Sequence, residues 1–205
     1  MYALLMIWEA IFPARRLPNI PFWRIKGIIA FFFFFFLSSY LPLWYADWLQ
    51  SAQFIDLIQM NVALAAALGI LLYELGMYLW HRGMHTNNIL WRVFHQMHHS
   101  AERLDTYGAF FFSPFDMIGF TLLGTFCFSF IMGLPPQAIT ITLLVSNFFS
   151  IFQHANIKTL SGSVISYRDR KVMQCIMPGE YMHLIILISR YSISFLVHSV
   201  TRKSM

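Results

Sequence analysis

The chain has 205 residues, of which 58% are hydrophobic and only 11% charged, and 22 are phenylalanine. Soluble domains keep roughly 25% of their residues charged, so this balance excludes an ordinary soluble enzyme and points to a membrane protein. The net charge of +5 forms no basic stripe, which argues against nucleic acid as a partner and suits loops facing an anionic leaflet.

Residues 1–26 open with MYALLMIWEAIFPARRLP. Arg15 and Arg16 follow the apolar run instead of preceding it, and no small-residue cleavage site is visible, so a signal peptide is not expected here. The run is also shorter than the roughly 20 residues that a crossing takes. It is expected to be an interfacial helix or the remnant of a longer one.

Residues 27–45 form the first expected span, and their unbroken run from Phe31 to Phe36 reads as lipid-facing bulk. Residues 62–80 form the second, with Glu74 as the one charged residue inside it. Two shorter apolar runs, 117–132 and 138–152, are joined by GLPPQ, where Pro135 and Pro136 force a turn. Each run is about 15 residues, or about 23 Å of helix against a hydrocarbon core of about 30 Å. They are expected to form a hairpin that crosses only in part. Cys127 and Cys175 supply neither a CxxC motif nor a disulfide framework.

The expected fold is therefore all-α: an integral membrane helical bundle of two full spans plus a helical hairpin. Arg15, Arg16, Arg24 and Lys26 precede the first span, and Arg82 and Arg92 follow the second. That bias places both flanks in the cytoplasm and the loop holding Asp47 and Asp56 outside. A hairpin that leaves and returns on one side brings His154 back to the cytoplasmic face, beside residues 81–99.

Residues 81–100 read HRGMHTNNILWRVFHQMHHS and hold five of the eight histidines. His81 and His85 are four apart and share a helix face, as His95 does with His98 and His99. Neutral imidazoles in this density suit a metal site, because they bind iron, zinc or copper well. A lone HxxxH is common by chance; HxxxH followed by HxxHH at the end of a span is not.

YLWHRGMH, LWRVFHQMHHSAERLD and the later FQHANI resemble the fatty acid hydroxylase/sterol desaturase superfamily of membrane di-iron enzymes. The resemblance implies two iron ions at the cytosolic face of a membrane bundle, held by His81, His85, His95, His98, His99 and His154. It also implies dioxygen, a lipid substrate drawn from the bilayer and a separate electron donor. Glu74, seven residues before His81, is a candidate acceptor for a ligand N–H, and it is equally suited to a structural hydrogen bond with Tyr78 or a neighbouring helix. Asn156 fits the HAN pattern or an ordinary helix-end cap. Asp105 and Tyr107 are weaker candidates for the pocket mouth.

The pattern breaks after Thr159. The superfamily carries one more HxxHH, in a context like RPESHxVHH, and none is present here; His183 and His198 stand apart from any box. The genetic code offers an account. Residues 172–178, VMQCIMP, are encoded by GTN ATG CAR TGY ATH ATG CCN, and reading two bases later permits His-Ala-Val-His-His-Ala. In the same frame, Arg168, Asp169, Arg170 and Lys171 permit RPES immediately before it. Residues 160–205 are thus read as an out-of-frame tail, following from one base lost near Thr159. The organisation becomes an N-terminal interfacial segment (1–26), an incomplete hydroxylase/desaturase-like domain (27–159) and that tail. An oxidoreductase short of its third histidine box is expected to be inactive as written. The alternatives are a non-catalytic haem- or metal-binding membrane protein and a pseudogene product.

The orientation has a direct test. In a chain freed of Cys127 and Cys175, single cysteines at Gln50 and Ser100 should label from opposite sides of sealed vesicles with an impermeant reagent. Labelling from the same side contradicts the orientation.

Overall fold

A computed structural model describes residues 1–157 of the chain. Among these the ordered elements are helices and helical turns, and extended pairing is confined to one isolated bridge between Pro13 and Ile157. The elements are α1 (Tyr2–Ile11), α2 (Trp23–Tyr40) and α3 (Ala46–Ala52), then α4 (Val62–Thr86), α5 (Asn88–Leu90) and α6 (Gln96–His99), and finally α7 (Pro114–Thr125) and α8 (Pro136–His154). A π-helical turn, Trp91–His95, leads into α6, and another, Phe126–Ile131, prolongs α7.

Caps explain several of these boundaries. The Asn61 side chain accepts from the Ala63 and Leu64 amides and starts α4. Asn87 ends α4 in an extended conformation and at once caps α5, accepting from Ile89 and Leu90. That corner reverses the chain, so α6 folds back against the end of α4. At the other end of the molecule Gly133 adopts a φ of 49°, the left-handed region that favours glycine, and a Cβ there would lie 2.7 Å from the Ile55 carbonyl oxygen.

Among the described residues, three helices are long and apolar enough to cross a membrane: Trp23–Trp44, Val62–Thr86 and Pro114–Ile131. The hairpin arms are longer than their apolar runs suggested. The first begins at Pro114 and takes in Asp116, and the second is a 19-residue helix, about 28 Å long. Both arms therefore travel between the two ends of the bundle. Their turn is tied to the loop before α4, where the amides of Phe54, Ile55 and Leu57 donate to the carbonyls of Phe130, Ile131 and Met132. His154, at the far end of α8, comes back to the histidines that follow α4.

Packing divides by end. Near the turn, the small residues Ala65 and Ala66 of α4 meet Ala138 of α8, and Thr142 donates to the Ala66 carbonyl at 3.1 Å. Small residues let membrane helices approach closely, where van der Waals contact drives association. At the histidine end the core is built from Leu5, Met84, Phe110, Phe112, Met117, Phe120 and Ile151. The phenylalanine run belongs to this core in part. Phe32, Phe33, Phe35 and Phe36 are exposed, as lipid-facing bulk requires, but Phe31 and Phe34 turn inward onto Phe110 at 5.4 and 5.8 Å.

α2 is held against the turn at residues 106–110 by its backbone. A Cβ on Gly27 would lie 2.3 Å from the Tyr107 carbonyl oxygen, whereas one on Gly83 would meet only Leu90, at 4.0 Å. Gly27→Ala should therefore force α2 outward and destabilise the fold by about 1–3 kcal/mol. Gly83→Ala should be neutral or stabilising by up to about 1 kcal/mol. Thermal unfolding of the two variants in detergent measures the contrast.

Candidate metal centre

α4 delivers His81 and His85 from its last turns, and their Nε2 atoms lie 3.2 Å apart. The π-helical turn delivers His95, and α6 delivers His98 and His99. The ligand-capable atoms of His81, His85, His95 and His99 all lie within 4.8 Å of one another. His98 stands beside this group, with its ring 5.3 Å from that of His95 and stacked on Phe112 at 4.5 Å. Its Nε2 faces Nε2 of His154 at 3.1 Å. The six histidines thus converge as a group of four and an adjoining pair.

Hydrogen bonds aim several of these rings. His154 Nδ1 donates to the Ser150 carbonyl at 2.7 Å, which leaves Nε2 directed at His98. His95 Nδ1 donates to Asp116 Oδ2 at 2.9 Å, which leaves its Nε2 directed at the other imidazoles. The His85 and His99 rings also flank Trp91, each with its centroid 5.1 Å away.

Several ring nitrogens are buried without a partner among the described residues: His95 Nε2, His98 Nδ1 and His99 Nε2. An unsatisfied buried polar atom costs about 1–3 kcal/mol, so the two within the group of four, His95 Nε2 and His99 Nε2, call for a shared ligand. A metal ion answers that need. Two imidazoles on one ion, each about 2.1 Å from it, stand about 3.0–3.5 Å apart; the two Nε2 pairs are separated by 3.2 and 3.1 Å. Protonation also favours metal. Burial, reinforced by neighbouring imidazoles, lowers His95 to about 2 and His99 to about 4, and holds His98 well below the ordinary histidine value. All three are neutral near pH 7, the form that ligates.

The remaining candidates lie around the cluster in different roles. Asp105 is fully buried, and its carboxylate accepts from the Trp23 indole at 2.9 Å, the Gly108 amide at 3.0 Å and the Arg103 guanidinium. It anchors α2 to the loop after α6. Tyr107 is half-buried beneath the Arg24 guanidinium. Asn156 exchanges hydrogen bonds with the Arg15 backbone, and its own amide donates to Glu9 at 3.0 Å, so it binds the N-terminal segment to the end of α8. Glu74 is half-buried and faces Ser146 of α8.

The carboxylate that touches a cluster imidazole is Asp116, which sequence reasoning passed over. Its signal was an acid at the head of an apolar helix, in SPFDMIGF, where the expected span began one residue later. The expectations for 160–205, with the missing third box and His183 and His198, lie outside the described residues.

The sequence profile of the fatty acid hydroxylase family matches residues 66–185, more than half of the chain. The chain belongs to the fatty acid hydroxylase family. No curated protein and no solved structure matches it. The family match takes in most of α4 and all of α6, α7 and α8, and with them all six converging histidines, so this hydroxylase-family chain carries its metal-binding potential within the matched region.

Neutral buried histidines also set a pH dependence. The folded chain holds His95, His98 and His99 below the ordinary histidine value of about 6.5, so the unfolded state binds more protons once the pH falls through that value. Stability of the metal-free chain should drop from about pH 7 to about pH 5. His99→Ala should reduce that slope, as read from unfolding midpoints at the two pH values.

Proposed function

We propose that this chain is a membrane-embedded, non-haem di-iron oxidoreductase of the lipid hydroxylase/desaturase type, written here without its full set of metal ligands. The observation that carries the reading is the division of six imidazoles into a group of four and a pair. His81, His85, His95 and His99 would hold one ion. His98 and His154 would begin the site for a second, which needs donors that the described residues do not add. Iron held there supplies the activation of dioxygen that hydroxylation or desaturation of a lipid C–H bond requires.

The chain's own residues prepare that chemistry. Burial keeps the ligands unprotonated, the Ser150 carbonyl and the Asp116 carboxylate choose which ring nitrogen faces inward, and Phe112 walls the pair from one side. A bilayer lipid is the proposed substrate, dioxygen the oxidant and a separate protein the electron donor. The basic residues flanking the first two spans support a cytoplasmic position for the cluster. The codons permitted behind 160–205 support one lost base near Thr159, and with it an inactive chain. The family match itself continues to residue 185, so nucleotide sequence across Thr159 is the direct test of that part.

Metal analysis tests the rest. The chain as written should bind a single ion, show no Soret band and oxidise no lipid. His81→Ala and His95→Ala should each lose the ion, while His98→Ala should keep it. Restoring one base near Thr159 should raise the content to two ions and bring lipid oxidation with it. Two irons and turnover in the unrepaired chain would contradict the incomplete-site reading. A Soret band would replace it with haem binding, and no metal under any condition would leave a non-functional product.

A further inference from the structure

We propose that Asp116 is a positioning residue of the metal centre: it fixes Nε2 of His95 as the ligand atom and places a buried negative charge beside the ion. This role rests on the four-histidine cluster being a metal centre.

Geometry comes first. His95 Nδ1 and Asp116 Oδ2 are 2.9 Å apart, and the two residues are 1% and 0% exposed. A ring that donates through Nδ1 can ligate only through Nε2. That atom is buried and has no hydrogen-bond partner among the described residues. The carboxylate therefore decides both the tautomer and the direction of the free lone pair.

Charge supplies the second argument. A carboxylate with no solvent exposure is expensive unless a cation or several donors face it. Asp105, equally buried, meets that requirement with Arg103, Trp23 and Gly108. Asp116 does not. Its side chain takes one hydrogen bond, from His95, while Oδ1 is buried without a partner among the described residues, and no lysine or arginine there pairs with it. A divalent ion on the far side of His95 provides the missing positive charge through the ring. Without an ion, a charged Asp116 would face one hydrogen-bond donor and no cation inside an apolar helix.

Support from Ser113 makes the contact rigid. Its hydroxyl donates to the Phe94 carbonyl at 2.8 Å, next to His95, and the same oxygen accepts from the Asp116 amide at 3.1 Å, capping α7. One side chain thus fixes the head of α7 to the π-helical turn that carries His95.

Cobalt(II) titration of the purified, metal-free full chain provides the test, because its absorption bands report ligand geometry without any turnover. Asp116→Ala should weaken cobalt binding by about 10–100-fold and shift the bands. Asp116→Asn can still accept from Nδ1 through its amide oxygen but lacks the charge. It should restore the wild-type band positions while affinity stays below wild type. Wild-type affinity and bands in Asp116→Ala would overturn the proposal and leave the metal centre standing. Failure of the unsubstituted chain to bind cobalt would remove both. Should Asp116→Ala not fold, ¹⁵N-histidine spectra of the unsubstituted chain decide the matter, with His95 assigned in the metal-free state by its disappearance in His95→Gln and followed through a zinc titration. A protonated, hydrogen-bonded Nδ1 with zinc on Nε2 is expected; zinc on Nδ1 overturns the proposal.

Discussion

Four imidazoles whose ligand atoms lie within 4.8 Å of one another come from two stretches of chain that meet because the backbone reverses at Asn87. Desolvating that many ring nitrogens together is unfavourable unless something shares their lone pairs. Much of the surrounding structure counters this cost. α4 holds the first two histidines through its packing on α8, the π-helical turn and α6 bring the next three, and α8 returns the sixth. Loss of the corner at Asn87 would leave two separate basic helix ends with no joint function.

Buried carboxylates do the second part of the holding. Glu9 accepts from the amides of Thr106 and Asn156, at 2.8 and 3.0 Å, and so ties α1 to the loop after α6 and to the end of α8. Asp105 ties the start of α2 to the same loop, and Asp116 ties the start of α7 to His95. These acids sit at the histidine end, where the chain leaves its helices and exposes backbone donors that need partners. The opposite end has a different composition. There Ala65, Ala66 and Ala138 bring helix backbones close, and specificity comes from shape. The site is thus mounted where polar anchoring replaces small-residue packing.

Chemistry in such a centre depends on which nitrogen of each ring is free, and the structure assigns this through ordinary hydrogen bonds. A backbone carbonyl orients His154 and a carboxylate orients His95. The difference matters, because a carbonyl orients without charge while a carboxylate also makes its imidazole a stronger donor to metal. Unequal support of this kind gives the group of four and the adjoining pair different character before any ion is bound.

Composition and spacing were enough to identify a helical membrane protein, the two long spans, the returning hairpin and the six histidines, because each is a local signal. Charge depletion, helical period and a dense HxxxH/HxxHH pattern need no distant partner to be legible. Tertiary structure decided the rest. Whether Phe31 faces lipid or Phe110, whether Asp105 lines a pocket or anchors Trp23, and whether Asn156 serves a ligand or the Arg15 backbone all depend on segments about 80 to 140 residues away in the chain. Asp116 was illegible for the same reason. An acid in the first turn of a helix suits the helix dipole wherever it occurs, and only the packing of α7 on the π-helical turn sets it against His95. A short polar side chain announces that it needs a partner; the fold alone determines which one it finds.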